Sequence, residues 1–142
     1  MTSDEVGAFL VEQRVVVCAS NGLRGWPHLM PLWYVIRDEE LWAWTYAKSQ
    51  KVRNLERDPR ATLQIEHGEL YHELRGVMIE AQTTIHRDLE TVARVGGDLL
   101  ERYSGAAADL DTVRAQATKR VALQFAPERI ASWDHGKLGG TY

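Results

Sequence analysis

The chain has 142 residues, 44% of them hydrophobic and 26% charged, with a formal net charge of −3. That length supports one domain with a real core, and the acidic balance excludes a general nucleic-acid binder, which needs a basic face to neutralise phosphates. A lone Cys18 excludes a disulfide framework, and no basic-apolar leader or run of roughly 20 apolar residues is visible, so a cytoplasmic protein with no membrane span is expected.

In chain order, Ser3 and Asp4 are caps for a short helix whose Val6, Phe9 and Leu10 share a face. "RVVVCAS" is β-branched and short, a buried strand that also buries Cys18, and "NGLRG" is a glycine-marked turn. "WPHLMPLWYVIR" reads as one long strand. Pro27 and Pro31 have no N–H for a ladder, so it lies at an edge or is interrupted there. "DEE" turns the chain into "LWAWTY", with Trp42 and Trp44 on one face and Leu41 and Ala43 on the other. A helix follows in "AKSQKVRNLERDP", capped by Ser49 and stopped at Asp58-Pro59.

"RATLQIE" and "ELRGVMIEAQTTIH" are strands joined through "HGELYH". "DLETVARVGGDLLERY" predicts a helix with Leu89, Val92, Leu99 and Tyr103 on its packed face, weakened by Gly96-Gly97. After a short helix in "LDTVRAQATK", "RVALQFAPERIASWD" is a strand, a bend at Pro127, and a second extended piece. Strands mostly in succession with short turns suggest a mainly β domain over residues 1–142, an antiparallel sheet curled into a small barrel with flanking helices.

No nucleophile elbow, phosphate loop or dinucleotide fingerprint occurs. His28, His67, His72, His86 and His135 do not fall in a metal-binding spacing, and one cysteine builds no thiolate zinc site, so no metal is expected. Asp88, Asp98, Asp109 and Asp111 read as caps and turn residues.

The segment "WTYAKSQKVRN" has more chemistry in it. A strand ends in Thr45-Tyr46, and the helix start offers free N–H groups and the positive end of its dipole to an anion. Ser49, Lys51 and Asn54 supply a hydroxyl, a charge and an amide for one phosphate; the other reading is an ordinary solvated helix start with a serine cap. Where Pro31 breaks the ladder, backbone groups are free for a planar heterocycle, with Trp33 and Trp44 as walls, unless the tryptophans are simply core.

From Pro27 to Ala61, "PHLMPLWYV" and "ELWAWTYAKSQKVRNLERDPRATL" resemble the pyridoxamine-phosphate-oxidase-like split β-barrel superfamily. Where the oxidases carry S-R-K, this chain has Ser49-Gln50-Lys51; where they carry a strand arginine and a lysine, it has Met30 and Val35. The resemblance therefore does not extend to a vitamin-B6 oxidase. The K-x-x-N-L run from Lys51 to Leu55, the "RDPR" after it, and the "SWDH-x-KLGGTY" ending are similar to the actinobacterial flavin/deazaflavin oxidoreductases of the B type.

That resemblance implies a Greek-key, FMN-binding-type split barrel that dimerises with itself. It also implies coenzyme F-420, or alternatively FMN, in a groove between barrels, and hydride transfer to a small conjugated or quinone-like acceptor. A non-catalytic deazaflavin carrier is the other alternative. By the same resemblance, Ser49, Lys51 and Asn54 bind the coenzyme phosphate, and Lys48 and Arg53 meet its acidic tail. Pro31, Leu32, Trp33 and Thr45 line its ring, and Tyr46 and His28 are candidate proton donors. The tail, with Trp133, Lys137 and Tyr142, either docks on the partner subunit or packs on its own barrel.

Overall fold

Thr2, not Ser3 or Asp4, caps the first helix, α1 (Ser3–Glu12), in the computed structural model, which describes residues 1–139. The Thr2 hydroxyl accepts from the Glu5 N–H, and the Glu5 carboxylate accepts from the Thr2 N–H, so two free donors of the first turn are satisfied. Gly140, Thr141 and Tyr142 of the expected tail lie outside the described residues.

Strands β1 (Val16–Asn21) and β2 (Pro27–Leu32) form an antiparallel hairpin across the "NGLRG" turn. The run over residues 26–37, expected to lie at an edge or to be interrupted at its prolines, does both: β2 is an edge strand that keeps Pro27 and Pro31, the run breaks after Leu32, and β3 (Val35–Arg37) restarts elsewhere. Tyr34 is the reason. Its ring is fully buried and its hydroxyl donates to the Leu10 carbonyl, while its backbone N–H and carbonyl are taken by Tyr103 and Arg102. With its main chain satisfied by side chains, the segment needs no ladder there and can change direction.

Asp38 and Glu39, at φ of 50° and 64°, make the two-residue turn into β4 (Glu40–Tyr46). Both central residues at positive φ match the twist of a tight hairpin. Next come α2 (Gln50–Arg57), β5 (Arg60–His67), a 3-10 turn at Tyr71–Glu73 and β6 (Arg75–His86). The chain closes with α3 (Leu89–Ser104), α4 (Leu110–Ala117), β7 (Arg120–Asp134) and a second 3-10 turn at His135–Leu138. Ser49 caps α2 and Asp58-Pro59 ends it, as the sequence predicts.

Among the described residues, seven strands make one antiparallel sheet in the order β2-β1-β5-β6-β7-β4-β3. The two halves of the broken run are thus its opposite edges. The sheet is curled: Val16 and Cys18 near one edge share a buried cluster with Leu41 and Ala43 near the other. Leu63, Ile65, Val77 and Leu123 fill the middle, and Phe9, Val52 and Leu55 plug the cluster from α1 and α2. The expected split β-barrel with flanking helices is the fold observed.

A second cluster lies outside the barrel, where Val92, Val95 and Leu99 of α3 meet Val35, Ala122, Trp42 and Trp44. The β4 alternation is as expected, tryptophans outward to α3 and Leu41 and Ala43 inward. The predicted face of α3 needs correcting. Leu89 is exposed, and Gly96 is buried because the Trp44 ring lies directly on it. The glycine that weakens the helix locally is the seat of a core aromatic. At Pro127 the expected interruption is a bulge within one continuous strand, marked by a register shift between Glu80 and Ala81 of β6.

Candidate functional site

The helix α2 carries polar residues on an otherwise apolar inward face. Val52 and Leu55 point into the barrel, and Lys51 and Asn54 point the same way, 5% and 0% exposed. A lysine is rarely this buried without a partner carboxylate. Here the Nζ of Lys51 donates to the Thr45 hydroxyl at 3.1 Å, and no ion pair involves it among the described residues. Burial pulls its pKa below the ordinary lysine value, opposed by the nearby Cys18. The Cys18 thiol is itself pushed up to about 11 by burial, with the ammonium opposing. An ammonium with three donors and one neutral acceptor, out of water, is an electrostatic deficit that an anion would fill.

Asn54 is different. Its Nδ2 donates to the Ser20 hydroxyl at 3.1 Å, and its Oδ1 accepts from Gln50 at 2.9 Å and Arg57 at 3.0 Å. Both amide atoms thus hold partners within the chain, tying α2 to β1, and the Nδ2 keeps a second N–H. Ser49 accepts the Val52 N–H at 3.4 Å as the cap, which leaves its own hydroxyl proton available. Lys48 and Arg53 are exposed on the outer side of the helix start. The corner thus has two surfaces, a buried one with Thr45 and Lys51 and a solvent-facing one with Lys48 and Arg53.

Tyr46 ends β4 with its ring over Arg120, whose guanidinium lies 4.3 Å from that ring and 4.8 Å from Trp44. Arg120 was absent from the sequence reading. The signal it left was the pair of aromatics at alternate positions of one strand; the register that sets Arg120 beside Tyr46 is a long-range pairing. Pro31 and Leu32 sit on the edge strand opposite Val17 and Val16. Trp33 is stacked on Tyr103 at 4.3 Å, at the end of β2 away from His28.

His28 faces Ser20 across the β1–β2 ladder, beside α2. The remaining candidates are distant in the chain's own barrel: Trp133 and Lys137 lie at the opposite end of β7 from Arg120 and Tyr46. The Trp133 indole covers Gly76, and Lys137 donates to both carboxylate oxygens of Glu5 at 2.7 Å. Through Gly139 the tail therefore packs on its own chain.

Among the described residues no cluster of three or more His, Cys, Asp or Glu has metal-binding geometry, and no helix is long and apolar enough to cross a membrane.

A model of the pyridoxamine 5'-phosphate oxidase family matches residues 2–134. Among solved structures, the chain is similar to the conserved hypothetical protein Rv2991 from Mycobacterium tuberculosis. The two are 40% identical with a TM-score of 0.92, over 100% of this chain and 90% of that one. It is also similar to an F420 reductase, at 19% identity and a TM-score of 0.68 over 83% and 89% of the two chains. The heme storage protein HutZ from Vibrio cholerae matches at 18% identity and a TM-score of 0.72, over 93% of each chain. Those two likenesses are of fold alone. Among curated proteins nothing matches.

Proposed function

The chain belongs to the pyridoxamine 5'-phosphate oxidase family, and on that premise we propose that it is a homodimeric oxidoreductase using the deazaflavin coenzyme F-420. One observation carries the reading: the buried Lys51 ammonium, held by a single hydroxyl and matched by no carboxylate among the described residues. That deficit fits a phosphorylated cofactor. The Lys51-to-Leu55 run and the departures at Met30 and Val35 favour the deazaflavin over FMN.

When bound, such a coenzyme supplies two-electron hydride chemistry. The residues here supply binding, orientation and exclusion of water. Lys51 neutralises the phosphate, Thr45 aims the ammonium, and the Ser49 hydroxyl donates at the rim. Lys48 and Arg53 face solvent where an acidic tail emerges. Asn54 locks α2 onto β1 through Ser20, which keeps Lys51 in register with Thr45. Pro31, Leu32 and Trp33 offer edge-strand backbone and an apolar wall.

The homodimer is favoured by the β2 edge strand, where Leu29 is 57% exposed beside Pro31 on one face and Met30 is 45% exposed on the other. An apolar edge strand left open is an association surface. Trp133 and Lys137 then reach a coenzyme only across a subunit boundary. The acceptor is a planar conjugated ketone, enone or quinone-like molecule.

Titration with oxidised coenzyme F-420 and with FMN, followed by fluorescence, tests this. The deazaflavin binds more tightly, and Lys51→Ala weakens it by roughly 1.5–3 kcal/mol, the value of a hydrogen bond to a charged group. An unchanged dissociation constant in Lys51→Ala removes the phosphate assignment, and tighter FMN binding transfers the site to the flavin.

A further inference from the structure

Outside the barrel, where β4 ends beside the start of β7, a groove of about 690 Å³ follows one face of α4 and is lined by Tyr46, Asp111, Gln116, Lys119 and Arg120. We infer that its Arg120 end is a carboxylate-binding site, separate from the Lys51 pocket and suited to a ligand that carries two or more carboxylates. Such a ligand has two sources: the acidic tail of a coenzyme seated on Lys51, or a free polycarboxylate. The first source rests on the reading of the protein as a deazaflavin oxidoreductase; the site itself does not.

The Arg120 guanidinium is held in place before any ligand arrives. Its carbon lies 4.8 Å from the centre of the Trp44 ring and 4.3 Å from that of Tyr46, two aromatics at alternate positions of β4. Trp44 is itself seated on Gly96 of α3, so one wall of the sandwich is fixed by the core. One Arg120 N–H donates to the Gln116 carbonyl at 2.9 Å, at the C-terminal end of α4. A helix cap needs no more than that. A guanidinium has five N–H donors, and the others meet no carboxylate among the described residues. A planar fork already held in position loses little entropy on pairing and matches a carboxylate with two parallel bonds.

Two more cations stand at the same junction. The Lys119 carbonyl accepts from the Ala47 N–H at 2.9 Å, which joins the lead into β7 to the lead into α2 and sets the exposed Lys48 and Lys119 on neighbouring segments. Neither ammonium has an ion-pair partner among the described residues. The chain as a whole carries a net charge of −3, so three unpaired cations at one corner reverse its charge locally. Like charges held together favour an anion that neutralises more than one of them. Asp111, the one carboxylate lining the groove, is five residues before Gln116 in α4, about 7.5 Å along the helix axis, and pairs with none of the three. It bounds the anionic part of the ligand to the Arg120 end.

The groove is also placed to serve the neighbouring pocket. Thr45 and Tyr46 are successive residues of β4 and face opposite sides, Thr45 inward to the Lys51 ammonium and Tyr46 outward to Arg120. The Ser49 N–H donates to the Tyr46 carbonyl at 3.0 Å, so the rim of the Lys51 pocket and the mouth of the groove are one turn of chain apart. A chain attached to a phosphate at that rim passes Lys48 and arrives at Lys119 and Arg120.

The probes are citrate, a tricarboxylate, and oxidised coenzyme F-420, each titrated by calorimetry into the whole protein at low salt. Arg120→Gln should weaken citrate, the coenzyme or both by roughly tenfold or more, the loss of a hydrogen bond between charged groups. Lys119→Gln should weaken the same ligand by roughly threefold, as for an exposed charge. Lys119 is exposed, so its variant keeps the test decisive if Arg120→Gln fails to fold. Displacement of citrate by the coenzyme, with both weakened in the variants, assigns the site to the tail. Citrate binding undisturbed in coenzyme-saturated protein, and weakened in the variants, assigns it to a free polycarboxylate. Failure of both ligands to bind, or affinities unchanged in the variants, overturns the site. Coenzyme binding that needs Lys51 and not Arg120, with no saturable citrate binding, overturns the site and leaves the coenzyme reading standing. Arg120-dependent citrate binding by a protein that ignores the coenzyme does the reverse.

Discussion

Lys51 can be removed in a way that separates stability from function. In Thr45→Val/Lys51→Met the ammonium and its only hydroxyl partner disappear together, and the methionine refills much of the volume with a flexible apolar chain. Replacing buried ionic groups by well-packed apolar ones is commonly stabilising, by about 1–4 kcal/mol. The double variant without ligand should gain an amount in that range. Lys51→Met alone should gain less, because the Thr45 hydroxyl loses its donor at a cost of about 1–3 kcal/mol.

The pH dependence has a definite sign. The folded Lys51 has a pKa below that of the unfolded chain, so through the window up to the ordinary value of about 10.4 the unfolded state binds more protons. The cost of burying the charge is present in full below the folded value and fades as pH rises from there to the ordinary one. Wild-type stability should therefore gain on the double variant between neutral and alkaline pH. Urea unfolding at two pH values, run beside coenzyme titration, measures both effects. A double variant less stable than wild type by more than about 1 kcal/mol would show that the ammonium holds the fold together, and would remove the argument that it awaits an anion.

Adjacent glycines of α3 should respond in opposite directions. A Cβ on Gly96 would lie 2.6 Å from Cε3 and Cη2 of Trp44, and that ring is backed by Arg120. Gly96→Ala gains about 1 kcal/mol of helix propensity but overpacks the site at a cost of about 1–3 kcal/mol or more, so its thermal midpoint should fall. Gly97 has open space around it, and Gly97→Ala should raise the midpoint; shifts of the same sign in both would refute the packing account.

At the tail, the Lys137 ammonium beside Glu5, helped by the Thr2 N–H, holds the Glu5 carboxyl down at about 2. That contact is complete above the unfolded carboxylate value of about 4.3 and is lost as pH falls through 2. An NMR titration of the Glu5 carboxyl should show this midpoint and its rise in Lys137→Ala; an ordinary midpoint in the wild type would mean the tail is not docked on α1.

The K-x-x-N spacing showed where α2 begins and which residues line one of its faces, because helical periodicity is local. It did not show which way that face points. Lys51 and Asn54 read either as phosphate ligands or as part of a solvated helix start, and packing of Val52 and Leu55 against the barrel turned both inward. That the run breaks at Tyr34 and not at a proline has a similar origin: the Tyr34 partners, Leu10, Arg102 and Tyr103, come from helices distant in the chain.

What the amino-acid order settled by itself is everything with a short-range cause. The alternation of Trp42 and Trp44 against Leu41 and Ala43, the Ser49 cap, the Asp58-Pro59 stop and the edge character of a strand bearing Pro27 and Pro31 all follow from neighbours a few positions away. Only the tertiary structure decided that the halves of one extended run lie at opposite edges of the sheet. The same holds for Arg120 lodged between Trp44 and Tyr46. Those outcomes depend on strand register and on which polar groups saturate one another, and such competitions are resolved only when distant segments pack.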